Sequence, residues 1–298
     1  MDYSDDGPEP RAPEFAENIP SLSVSLYPEG ESSKLHTEND PDDPFQRINI
    51  IERHGRVDIS CEHKHIAHGF YDDEDKQHCS LIVFDFSFTP NGPAVRIKEA
   101  YVVVKFSAME KGDPEPVVQA AYPKGMFGVV PTTQRETSAR SAGINVGGGG
   151  PVQVGAELKA ENSIERETVS HSTVKGSIDK RGRSWGDKNS VSWSLWENPK
   201  SKTGIVTSMQ APVLLKRRDM SKFRAKMTIK VVADTMTQLG SVFKTDPKDD
   251  DVLYNPEMNG PKNEFDEKNL GKLDLKSIAG VTFLNVIQNG IKEESLGL

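Results

Sequence analysis

Five of the seven histidines of this 298-residue chain fall between positions 54 and 78: His54, His63, His65, His68 and His78. Both cysteines, Cys61 and Cys79, belong to the same stretch. Imidazole and thiolate are ligands that zinc and copper take from proteins. On an extended strand, side chains two apart share a face, so Cys61, His63 and His65 are expected to point the same way. A hairpin returning His78 or Cys79 alongside would complete four ligands. No cofactor is expected of the chain as a whole, and zinc is the alternative that this pattern offers. Against it, Cys-x-His-x-His is not a standard structural zinc spacing. Cys79 also borders an apolar run, where free cysteine serves as a small buried hydrophobe. A Cys61–Cys79 disulfide is disfavoured in a reducing compartment.

The other motifs with catalytic spacing lack the flanks their chemistry needs. Gly182-Arg183-Ser184-Trp185-Gly186 matches G-x-S-x-G, but a nucleophile elbow requires an apolar strand before the serine and a helix after it. Here Asp179-Lys180-Arg181 precedes and Asp187-Lys188-Asn189 follows, so a turn between strands is expected. Gly147–Gly150 is followed by Pro151-Val152-Gln153-Val154, not by the Lys-Ser/Thr and helix of a phosphate cradle. No carboxylate pair stands out as an acid and base. The chain reads as leaning away from an enzyme.

Charge supplies the next candidates. The net charge is −8, but it is segregated. Residues 1–45 carry −10, residues 46–130 carry −2, residues 131–230 carry +9 and residues 231–298 carry −5. Residues 222–233 alternate, with Phe223, Ala225, Met227, Ile229, Val231 and Ala233 on one side. Lys222, Arg224, Lys226, Thr228 and Lys230 fall on the other, which is a half-buried strand with a cationic outer face. Arg217 and Arg218 lie just upstream. Together Arg217, Arg218, Lys222, Arg224, Lys226 and Lys230 are the candidate contacts for a protein or an anionic surface. A membrane fits this set and nucleic acid is the less favoured polyanion. The acidic arm is a competing occupant of the same face. All three tryptophans, Trp185, Trp193 and Trp196, fall in this basic region. Trp193 and Leu195 are expected in the core and Trp196 on the opposite face.

These residues require a β framework to hold them. Ser80–Phe88 is a nearly continuous apolar run, as for a strand buried on both faces. Pro90–Pro93 is a turn, and Val95–Phe106 is expected to pair back beside it. Residues 234–243 suit a short helix, 246–269 a long loop, and Leu273–Ile287 either a strand or a helix. The expected fold is mainly β. It is an antiparallel β-sandwich-like domain with a disordered N-terminal arm and an irregular C-terminal region. The arm covers residues 1–44 and the domain 45–298, with core strands in 45–233 and a loop-rich extension over 234–298. No run of about 18 apolar residues offers a transmembrane helix. The acidic N-terminus has no signal-like apolar core, so a cytoplasmic location is expected.

Residues 137–161 form a hairpin candidate around the four glycines. Pairing Val146 with Val152 sets Ile144 against Val154, and Leu158 extends the same apolar face. Asn145, Gln153, Glu157 and Lys159 occupy the other. Such a hairpin is either two ordinary sandwich strands or an amphipathic hairpin that enters a bilayer, each arm being about ten residues, near the span of a tilted membrane strand. Its flanks are rich in hydroxyls (Thr132, Thr133, Thr137, Ser138, Ser141, then Thr168, Ser170, Ser172, Thr173). In that character they resemble aerolysin-type pore formers.

A second resemblance rests on Ser192-Trp193-Ser194-Leu195-Trp196-Glu197-Asn198-Pro199, on Lys202-Thr203-Gly204-Ile205 and on Val213-Leu214-Leu215-Lys216-Arg217. These segments resemble an uncharacterised group of soluble proteins from filamentous fungi, over about residues 80–285. The resemblance implies a soluble intracellular protein and carries over no functional residue. The sequence thus supports first a non-catalytic interaction protein with a basic sheet face. It supports second a membrane-active β protein inserting 137–161, and third a metal protein or enzyme built on 54–79.

Overall fold

The structure, a computed structural model, describes residues 36–92, 94–140, 162–234, 249–258, 260, 264–282, 285–288 and 292–295. Among the described residues fourteen antiparallel strands follow one another from β1 (Asn49–Arg53) to β14 (Lys292–Ser295). They build two six-stranded sheets and a small two-stranded one. The first sheet runs β1, β2 (Val57–Phe70), β3 (His78–Pro90), β9 (Ser208–Lys216), β12 (Gly280–Thr282), with β5 (Val117–Ala121) also on β9. The second runs β11 (Val252–Tyr254), β10 (Phe223–Ala233), β4 (Ile97–Ala108), β8 (Ser190–Trp196), β7 (Asn162–Asp179), β6 (Gly125–Arg140).

The inner faces of the two sheets share one core. Phe84 and Phe86 of β3 meet Val102, Val104 and Phe106 of β4 and Trp193 and Leu195 of β8. The Trp193 ring lies 5.8 Å from that of Phe86, and its indole N–H donates to the Pro123 carbonyl at 3.1 Å. Each such large side chain contributes roughly 2–3 kcal/mol by leaving water. The tryptophan expectation is met: Trp193 is buried and Trp196 half-buried on the other face, while Trp185 is 81% exposed in the turn between β7 and β8.

The first sheet is covered on its outer face too. Ala67, Cys79, Leu81, Val83 and Leu214 pack there under Leu270, with Phe265, Leu273, Leu275 and Ile278 around them. That second cover explains the unbroken apolar run of β3. It draws on the loop-rich region 234–298, which is part of the two-sheet body. This region supplies β11 and β12 to the sheets, and its segment 264–282 roofs one of them. Within Leu273–Ile287 both alternatives occur, a helical turn at Leu275–Ile278 followed by β12 and β13 (Asn285–Gln288). The short helix expected over 234–243 lies, beyond Asp234, outside the described residues.

Two further expectations change. Val95–Phe106 does not pair with Ser80–Phe88. Both edges of β3 are taken, by β2 and β9, so after Pro90 the chain crosses to the other sheet, where β4 lies between β10 and β8. The fold also begins before residue 45. The Thr37 N–H donates to Asp249 at 2.8 Å and the Asn39 N–H to Asp250 at 3.1 Å, and Phe45 bridges to Leu253.

Candidate functional site

The Cys/His candidates do not share one face. Strand β2 carries a bulge between His63 and His65, so that His63 faces Phe84 but His65 faces Val83, the next residue along β3. One extra residue in one strand inverts the alternation that follows. Cys61 and His63 therefore enter the inter-sheet core, whereas the His65 ring packs at 5.2 Å against Phe265 of the roofing segment. Cys79 belongs to the roofed cluster, and the His78 ring lies beside Phe70, 5.3 Å away. Both cysteines are free thiols and buried. Burial pushes Cys61 well above its usual range and Cys79 up to about 12, so neither offers a thiolate at neutral pH. Among the described residues no three His, Cys, Asp or Glu side chains converge to hold a metal ion.

His63 has a different use. Its Nδ1 lies 2.7 Å from the Arg47 carbonyl, which can only accept, so Nδ1–H is the donor. Nε2 then accepts from the Tyr254 hydroxyl at 2.8 Å. Tyr254 is on β11, so this bond ties the second sheet to the first. His68 is buried on the same side, with Nδ1 2.7 Å from the Ser80 hydroxyl and its ring edge-on to Phe223. Burial holds His63 down to about 4 and His68 to about 3, the nearby Arg217 guanidinium adding to the second.

The cationic candidates separate into two places. Arg224, Lys226 and Lys230 are exposed on the outer face of β10, while Phe223 and Ala225 are buried; Lys222, exposed just before the strand, places its ammonium over the Phe45 ring at 4.7 Å. Arg217 is not on that face. It directly follows β9 of the first sheet, is 4% exposed, and donates to the carbonyls of Asp219 and Cys79 at 2.7 and 3.1 Å. Burial brings it down to about 10. A guanidinium spent on backbone carbonyls is a structural clamp, and exposed Arg218 stays beside it on the first sheet's side. Together with Lys216 they line an open cleft of about 290 Å³ that Glu115 and Asp187 also line, Glu115 being paired with Arg183.

The alternation of residues 222–233 marks the cationic face on one strand only, and pairing extends it across the sheet. Facing residues in an antiparallel sheet share a side. Lys226 faces Lys105, which faces Ser190, which faces Asp179. Lys230 faces Tyr101, then Ser194, then Lys175, then Met126. Val232 faces Glu99, then Trp196, then Thr173. The Trp196 indole donates to the Tyr101 hydroxyl at 3.3 Å, which donates in turn to Glu99. Asp179 is held by Ser177 and Ser192 at 2.8 and 2.7 Å, and Asp251 lies 3.6 Å from Arg224. Lys175, Lys226 and Lys230 are exposed and make no ion pair among the described residues.

The hairpin candidate is rooted in this same sheet. β6 and β7 pair from Gly125 opposite Gly176 to Arg140 opposite Asn162, with an irregularity between Val129 and Thr132. Pro131, which has no N–H to give a ladder, falls within it on an edge strand. β8 accompanies β7 only from Asp179 to Thr173. From Thr132/Ser170 to Arg140/Asn162 the two strands pair with each other alone among the described residues. At about 3.3 Å per residue those nine pairs make a ribbon of roughly 30 Å. The register also differs from the sequence expectation, which carried outward sets Arg140 against Leu158 rather than Asn162. Ile144, Val146, Val152, Val154 and Leu158 themselves lie outside the described residues.

No family model and no curated protein matches the chain. Among solved structures it is similar to Clostridium perfringens delta-toxin at 10% identity and a TM-score of 0.23, covering 68% of this chain and 91% of that one. It is also similar to the Clostridium perfringens NetB toxin in its membrane-inserted form at 8% identity and a TM-score of 0.20, covering 62% and 85%. Likeness this distant transfers no activity. No helix among the described residues is long and apolar enough to cross a membrane, which says nothing of crossing by strands.

Proposed function

We propose that this chain is a membrane-active β protein whose two-sheet body holds a hairpin that enters a lipid bilayer as strands. The observation that supports it is the β6–β7 ribbon, which outruns its sheet and carries residues 141–161 at its far end. That segment alternates apolar residues with small or polar ones. In the inserted state, continuing the ribbon register sets Ile144 opposite Leu158 and Val146 opposite Ala156. The four-residue shift is even, so the apolar residues stay on one side. A single hairpin leaves its edges unpaired, and strands cross hydrocarbon only in closed barrels, so insertion implies several copies. The soluble chain is then the form that precedes assembly, and a bilayer and further copies of itself are its partners.

Dye release from vesicles of phosphatidylcholine and phosphatidylserine tests this. The wild-type chain is expected to release dye, and the Ile144→Asp/Val154→Asp variant to lose release with an unchanged unfolding midpoint. A charge on the lipid face of a membrane strand costs up to about 2–4 kcal/mol for a basic residue at the midplane and less for an acidic one. Two such costs per copy multiply over an assembly. No release by the wild type at micromolar concentration, or equal release by the variant, sinks the proposal.

A further inference from the structure

The two sheets differ in what covers their outer faces. The first is roofed by segment 264–282. The second presents β10, β4, β8 and β7 side by side with Lys226, Lys230 and Lys175 exposed. We infer that this outer face of the second sheet is the surface by which the protein lies on an anionic phospholipid bilayer. The inference rests on the membrane-active reading and names the contact that precedes insertion.

Three observations carry it. The first is the arrangement of charge. Lys226 and Lys230 are four residues apart on one strand, about 13 Å, and Lys175 is three strands away from Lys230 in the same row, about 14 Å. Of the acidic groups on the described face, Asp179 accepts from two serine hydroxyls and Glu99 from Tyr101, both keeping their charge but bonded away from these lysines, and Asp251 lies beside Arg224. Among the described residues these three amines make no ion pair, and they are spread over about 13 by 14 Å of one sheet face rather than gathered at a point.

The second observation is the chemistry between the lysines. Tyr101 lies half-buried within the row of Lys230 and Lys175, and Trp196 half-buried in the next row. Both are rings with a polar end, the type that settles at head-group level. Met126 at 68% exposure and Val232 extend the apolar margin at the two ends of their rows. A duplex backbone would favour a denser row of cations, so the mixture fits a lipid interface better than nucleic acid.

The third is continuity with the ribbon. Met126 and Lys175 face each other at the root of β6 and β7, so a bilayer under this face touches the root of the hairpin. Docking there lays the ribbon along the membrane before its tip enters.

The test is flotation of the full chain with vesicles, scored for binding, beside dye release, scored for insertion. A lysine near an anionic surface is worth about fivefold in binding, so the Lys175→Gln/Lys226→Gln/Lys230→Gln variant is expected to bind about a hundredfold more weakly. Wild-type binding should also fall in 0.5 M salt and on phosphatidylcholine alone. These side chains are exposed, so the unfolding midpoint should stay put; Lys175→Arg/Lys226→Arg/Lys230→Arg should restore binding if folding is intact. Equal binding by the Gln variant overturns the inference. So does tighter binding to a single-stranded oligonucleotide than to phosphatidylserine vesicles, or a rise in binding to both that appears only when the acidic residues 1–35 are removed, since that assigns the face to the arm. The two proposals fail separately. Binding lost in the Gln variant without dye release from the wild type leaves this inference standing and removes insertion. Dye release undiminished in the Gln variant does the reverse.

Discussion

Lowering the pH should weaken this fold through two buried histidines, by an amount that follows from their surroundings. His63 and His68 are held neutral at about 4 and about 3, against 6.5 for a free histidine, mainly by burial. Because the folded values are depressed, the unfolded chain binds protons first. Stability is therefore full above about pH 6.5 and drains as pH falls toward the folded values. A pH of 5 is about 1.5 units below the unfolded value of each histidine, and both are still neutral in the fold, so each costs about 2 kcal/mol and the pair about 4. That is a large share of the roughly 5–15 kcal/mol that holds a typical domain together. Urea unfolding at pH 7.5 and 5.0, followed by tryptophan fluorescence, measures the drop. His68→Asn keeps a polar atom for Ser80 but cannot titrate. Whatever it costs at pH 7.5, its further loss on going to pH 5.0 should be about 2 kcal/mol smaller than that of the wild type. His63→Gln should behave alike, and the double variant should lose most of the dependence. If His68→Asn loses as much stability between the two pH values as the wild type, His68 is not buried neutral and the reasoning is wrong.

Two further outcomes test the packing. Trp193→Ala removes the largest side chain between the sheets and its bond to Pro123; it should cost about 3–5 kcal/mol in urea unfolding. Gly69→Ala would place a methyl 2.0 Å from the Glu267 carbonyl oxygen, where the Phe70 N–H donates to the same oxygen at 2.7 Å. The roof should be pushed off the first sheet, so limited proteolysis within 264–282 should accelerate while the inter-sheet core stays protected.

The sequence by itself determined the class of fold and much of its local detail. Residues 222–233 alternate on paper as they do in β10, because period two is a property of one strand and needs no partner to be read. The Ser80–Phe88 run disclosed a strand buried on both faces, though not that residues 264–282 supply the second cover. Trp193, Leu195 and Trp196 were assigned to their proper faces by the same parity.

What tertiary structure decided were the matters that depend on a neighbour distant in sequence. The bulge beside His63 leaves no mark in Cys-Glu-His-Lys-His, yet it sends His63 and His65 to opposite sides and disperses the cluster that suggested a metal. Arg217 and Lys222 are five positions apart and equally cationic. One is clamped beneath Cys79 and the other is exposed. Lys175 joined the cationic face only because three strand pairings set it in the row of Lys230. Parity along a strand is local and legible. Which strand lies beside it, and in what register, is fixed by core packing and loop closure across the whole chain, and that is where the candidate surface was assembled.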